Sequence, residues 1–186
     1  MHPFKTKPKG GYNWFDGDGM LHGCRIKAGK VAYSNHAVRT ARLKQELQAG
    51  TPLFFKIGEV KGFAGFLHVL LFAAKVRLGF VDPEKGIGTA NTAVVYHANR
   101  LLALQESDMP YAVRVMCSGL LQTLSRNTFH GRLQHPFTAH PKVDPATGDM
   151  LYFGYQLMGA PFLCFGVMDK AGDVVKDFPI HTIKEP

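Results

Sequence analysis

From residue 82 onward, short apolar segments alternate with turns rich in Gly, Pro and Asn, and this spacing constrains the fold more than any other feature. DPEKGIG reads as a turn, and NTAVVYHANRLLALQE as two apolar segments joined by the polar link from His97 to Arg100. YAVRVMCSG and LLQTLSRNTFHG make a second pair, MLYFGYQLMG and PFLCFGVMDKAG a third, and DVVKDFPI follows. Strands this short and this often interrupted predict an all-β architecture, either a sandwich or a propeller. Periodicity alone does not choose between them, and no exact internal repeat is visible.

The first half is more mixed. Residues 12–33 predict short strands broken by glycine: YNWF, the DGDG step, MLHGCRI, a KAGK turn and VAY. SNHAVRTARLKQELQAG reads as a helix opened by Ser34 or Asn35 and closed at Gly50, with a competing strand through Val38 and Thr40. Residues 61–80, KGFAGFLHVLLFAAKVRLGF, are the most apolar stretch, interrupted by His68, Lys75 and Arg77. The run falls short of the ~18–20 uninterrupted apolar residues that a membrane span needs. A buried or half-buried helix is one reading; a helix in a membrane interface, with Lys75 and Arg77 reaching headgroups, is the other.

Composition excludes several classes. With 46% hydrophobic and 19% charged residues, the 186-residue chain is not of disordered type and is long enough for one domain with a core. Cys24, Cys117 and Cys164 are too few and too far apart for a disulfide scaffold, and they fit a reducing compartment. The net charge of +8 is scattered without a dense basic block, so no nucleic-acid partner is expected. The opening MHPFKTKPKGG is polar and basic, unlike a secretory signal.

The nine histidines form no HExxH pattern and do not sit with cysteines at finger spacing. His130, His135 and His140 are five apart, a step that scatters side chains on a helix and alternates faces along a strand. No local ligand cluster follows; a metal site would recruit histidines from distant strands. His140, before Pro141, reads locally as a histidine at a strand end. Asp16 and Asp18 in FDGDG suit a turn better than a calcium loop, which needs more oxygen ligands. Glu106 reads as an acid at a strand end. No GxGxxG, Walker or GxSxG motif is present.

Five stretches carry a resemblance: GYNWFDGDGMLHG (residues 11–23), RTARLKQE (39–46), GTANTAVVYHANRLLALQESDMPY (88–111), LQTL (121–124) and FTAHPKVDPATGDM (137–150). In content and order they resemble the carotenoid cleavage oxygenases, most of all the plant-type 9,10(9′,10′)-cleavage dioxygenases. The resemblance implies a partial seven-bladed β-propeller with a helical cap segment, residues 61–80 lying in the cap. It implies a non-haem Fe(II) held by four histidines from separate blades, His140 matching the first. Glu106 matches a second-sphere carboxylate that supports a different ligand histidine. Phe15 and Asp16 lie in a segment near the central cavity. The partners implied are a carotenoid or apocarotenoid and O2, with possible peripheral membrane contact through the cap. The implied reaction is oxidative cleavage of a conjugated double bond.

Against that pattern, residues 1–186 are expected to be an incomplete propeller domain. A family member is roughly three times as long, as closure of seven blades requires. A blade-opening segment is expected before Gly10, and the segment with the second ligand after the closing IKEP. His181 lies upstream of that position and is not expected to replace it. One imidazole cannot hold catalytic iron, so this chain alone is expected to be inactive. The alternatives are a non-catalytic apocarotenoid- or lipid-binding module and a structural β-domain. The implied location is cytoplasmic, with membrane association and a plastid both left open.

Overall fold

A computed structural model describes residues 13–156 and 159–183. The readings of MHPFKTKPKGG, of Tyr12 and of the last three residues therefore lie outside the described residues. The strand expected at YNWF does not form among the described residues, where Trp14 and Phe15 make a turn. The first strands are a hairpin, β1 (Met20–Lys27) and β2 (Lys30–Ala37), paired antiparallel from Met20↔Ala37 to Lys27↔Lys30. Ala28 and Gly29 both take positive φ, 49° and 71°, as a two-residue turn matched to strand twist requires.

The ambiguous stretch after the hairpin divides. Ser34 and Asn35 do not open a helix: they belong to β2, while α1 (Ala41–Ala49) begins after Thr40. Thr40 is the N-cap because its hydroxyl accepts from Leu43 N at 3.1 Å, and Gly50, at φ 67°, closes the helix as expected. A long helix, α2 (Gly62–Arg77), occupies the apolar stretch.

Eight strands follow: β3 (Ala93–His97), β4 (Arg100–Leu104), β5 (Tyr111–Val115), β6 (Leu121–Arg126), β7 (Lys142–Val143), β8 (Met150–Tyr155), β9 (Leu163–Met168) and β10 (Val174–Pro179). They build two antiparallel four-stranded sheets, in the orders β3-β4-β5-β6 and β10-β9-β8-β7. Each sheet is an up-and-down meander, the unit that propellers repeat. The described strands close no barrel. The second half of LLQTLSRNTFHG is a turn, with positive φ at Phe129, His130 and Gly131.

β4 shows why the sequence LLAL reads as unbroken apolar. Leu102 and Leu104 pack with Met150, Tyr152 and Met168 of the second sheet, whereas Ala103 packs on the other face with Val38, Ala90 and Tyr111. A strand buried on both faces cannot alternate. Close packing also fixes glycines in the second sheet: a Cβ on Gly154 would lie 1.9 Å from Pro136 O and 2.2 Å from His135 Nδ1.

The hairpin is latched to the first sheet through His36. Its Nε2 accepts from Thr123 N at 3.2 Å and meets Thr123 Oγ1 at 3.0 Å, while that oxygen accepts from Arg39 N at 3.0 Å. Burial, and then the charge of Arg39, hold the imidazole below its ordinary value of 6.5. The unfolded chain therefore takes up this proton more readily than the folded one. The contribution of His36 to stability is whole above pH 6.5 and declines as pH falls below it. Thermal melts between pH 7.5 and 5.5 should show that decline, and the non-titrating His36→Gln should flatten it. Gly154→Ala should cost about 1–3 kcal/mol by overpacking, read from urea unfolding.

Candidate functional site

The turn after β4 and the segment before β7 come together although residues 109–136 separate them along the chain. The turn spans Gln105 to Asp108, whose N–H donates back to Gln105 O at 3.4 Å, and Glu106 projects from it. The segment 137–140 is seated by its first residue. Phe137 is 1% exposed, stacks on Tyr152 at 4.8 Å between ring centroids, and donates its N–H to Asp108 O at 3.0 Å. Thr138 N then bonds Phe153 O at 2.8 Å, and the Thr138 hydroxyl accepts from His140 N at 3.0 Å. These bonds leave the His140 ring exposed, with its side chain 66% accessible and Nε2 3.5 Å from Glu106 Oε1. That separation exceeds an ordinary hydrogen bond, so the two side chains are neighbours without one between them.

His140 and Glu106, the two residues singled out for metal chemistry, are thus neighbours. The resemblance assigned Glu106 to a different histidine; among the described residues its carboxylate faces His140. An exposed imidazole has the donor chemistry for ferrous iron, and His140 could supply one ligand of such a site. No group of three or more His, Cys, Asp or Glu among the described residues is arranged to hold a metal.

The other histidines go elsewhere. His135 Nε2 meets Asp177 Oδ1 of β10 at 3.0 Å, and His97 Nε2 bonds Asp169 O at 2.8 Å. His130 lies in the turn after β6 at φ 60°. The three histidines spaced by five share no partner, in keeping with their spacing.

Phe15 and Asp16 hydrogen-bond to other segments. Phe15 is 73% exposed, and its carbonyl accepts from Asn91 Nδ2 at 2.9 Å. The Asp16 carboxylate accepts from Ile57 N at 2.6 Å and Gly58 N at 2.9 Å, at the start of a 3₁₀ turn, Ile57–Glu59. It ties the opening loop to the approach of α2. Bonds across more than forty residues leave no local trace in sequence, so this tether was not legible there.

A buried polar network also escaped the sequence reading. Asp108, 2% exposed, pairs with Arg126 Nε at 2.7 Å and accepts from Tyr111 Oη at 3.0 Å. Tyr111 Oη in turn accepts from Ala41 N at the start of α1, at 3.0 Å. Burial, reinforced by the Asp108 charge, pushes the Tyr111 hydroxyl well above its ordinary value, so it stays protonated and donates. The local signal was present as Gly86 and Gly88 in EKGIG, since a Cβ on either would strike Asp108.

The strand-rich architecture agrees with the comparisons to known proteins. Residues 1–186 match the family described as Retinal pigment epithelial membrane protein, RPE65. The chain belongs to this family, that of the carotenoid cleavage oxygenases. It is 52% identical over 176 residues to carotenoid 9,10(9′,10′)-cleavage dioxygenase 1 of Arabidopsis thaliana, covering 95% of this chain and 32% of that enzyme. Among solved structures, the lignostilbene dioxygenase of Pseudomonas brassicacearum superposes with a TM-score of 0.67 at 31% identity, over 89% of this chain and 31% of that one. The Glu150Asp form of Synechocystis apocarotenoid oxygenase gives 0.63 at 25% identity, over 89% and 34%. The chain spans about a third of the length of the curated relatives it matches.

Asp16→Ala should free the Ile57 and Gly58 amides and cost about 0.5–2 kcal/mol, the range for lost capping bonds, measured by urea unfolding.

Proposed function

We propose that this chain supplies part of an enzyme that cleaves a conjugated double bond of carotenoids or apocarotenoids with O2, at the 9,10(9′,10′) position. The observation that carries this reading is the His140–Glu106 pair, set by two family segments in a chain 52% identical to a 9,10(9′,10′)-cleaving enzyme. In the complete assembly the two four-stranded sheets are blades of a seven-bladed propeller. His140 would be one of four imidazoles that hold a non-haem ferrous iron. When bound, the iron would supply unpaired electrons that let triplet O2 react with the spin-paired alkene.

The chain's own residues orient and exclude. Glu106, beside His140, would support a second ligand histidine by fixing its orientation and tautomer. Helix α2 presents Phe63, Phe66, Leu70 and Leu71 to the surface, 76%, 57%, 49% and 59% exposed, with Lys75 and Arg77 in its last turn. No helix among the described residues is long and apolar enough to cross a membrane. The apolar face of α2 instead suits peripheral contact with a bilayer, from which a greasy substrate enters. The cytoplasm is the proposed location.

Placing residues 1–186 in the matching third of the Arabidopsis enzyme tests the proposal. The chimera should bind iron and yield two carbonyl products from a carotenoid. His140→Ala should abolish both, and Glu106→Gln should lower metal affinity or activity by about 10–100-fold. An active His140→Ala chimera, or stoichiometric iron and turnover in the 186-residue chain alone, would overturn it.

A further inference from the structure

The Asp108 carboxylate accepts four hydrogen bonds while almost fully buried. Oδ1 accepts from Arg126 Nε at 2.7 Å and Met109 N at 2.8 Å; Oδ2 accepts from Gly88 N at 3.1 Å and Tyr111 Oη at 3.0 Å. Arg126 reaches further, its Nη1 donating to Glu84 O at 2.8 Å. Loop 84–88, the start of β5 and the end of β6 are therefore all fastened to one side chain. The loop wraps it closely: a Cβ on Gly86 would come within 2.5 Å of Asp108 Oδ2, and one on Gly88 within 2.4 Å of Asp108 Cβ. Gly86 also has φ 127°, a conformation that side chains resist.

The backbone of the same residue serves the candidate site. Asp108 closes the turn that bears Glu106, and its carbonyl accepts from Phe137 N, the first residue of the segment that ends in His140. The carboxylate grips the scaffold and the main chain grips both halves of the pair. A buried charge held by four donors has no alternative placement of comparable energy, so the turn has one orientation.

We propose that Asp108 is a positioning residue whose buried carboxylate holds the turn bearing Glu106 against the segment bearing His140. This rests on the reading of His140 and Glu106 as site residues, but its test needs no metal. In the 186-residue chain with 15N-labelled histidine, Glu106→Gln marks the direction in which the His140 ring resonances move when the carboxylate is lost. Asp108→Asn keeps the shape but turns an amide N–H toward donors; it should move those resonances the same way, by at least half as much. Arg126→Lys, which retains the opposite charge, should leave them nearly in place.

Amide exchange at Phe137 should accelerate about tenfold in Asp108→Asn while Tyr152 and Gly166 stay within about twofold, as local opening requires. If Asp108→Asn does not fold, Gly88→Ala presses on the same turn from its other side and should give the same His140 response. Unmoved His140 resonances, or equal acceleration of all amides, would overturn the proposal. A His140 response in variants of a chain whose chimera neither binds iron nor cleaves carotenoid would leave the positioning role standing and overturn the oxygenase reading alone.

Discussion

Burial of Phe137 between the two four-stranded sheets governs the placement of everything at the candidate site. Its ring stacks on Tyr152 of β8 and lies 6.1 Å from Phe129, in a cluster with Leu102 and Leu104 of β4 and Met168 of β9. Burying a side chain of this size contributes about 1.5–3 kcal/mol, enough to choose one path for an otherwise irregular connection. The apolar contact decides where the connection runs. The bonds from Phe137 N and Thr138 N then decide how it is turned. His140 is exposed because three residues before it are not.

Two kinds of environment thus meet within a few residues. Asp108 and Arg126 form an ion pair in which the carboxylate is 2% and the guanidinium side chain 28% exposed, so the pairing is firm and screened little by solvent. Glu106, two residues earlier, is 25% exposed and faces an imidazole that is 66% exposed. The first pair is suited to hold shape, the second to exchange partners. A carboxylate available to a ligand histidine needs the second kind of surroundings, supported by the first.

Much of the fold was legible because strands and turns leave local marks. The KAGK and HANR links became two-residue turns, residues 61–80 contained α2, and the alternating segments after residue 82 became paired strands. The helix start at Thr40 was misplaced to Ser34 or Asn35 because all three are capping residues, and only the pairing of β2 with β1 as far as Ala37 excludes the earlier ones. For the site, His140 and Glu106 were legible only through long motifs shared with a family. Nothing in their spacing announces a 3.5 Å contact. Asp16 was read as a turn residue near the cavity, Tyr111 and Arg126 only as parts of apolar segments, and Asp108 was not singled out, because the bonds that define their roles reach far along the chain.

By itself, then, the amino-acid order determined most of the strands, the segments that hold two helices, and which family supplies the pattern, since each of these depends on neighbours within a few residues or on whole motifs. Only the tertiary structure decided that Glu106 faces His140, that Asp108 is buried and Asp16 is a tether. Those outcomes depend on which sheets pack together, and burial and partner choice are properties of the assembled surface rather than of any stretch of chain.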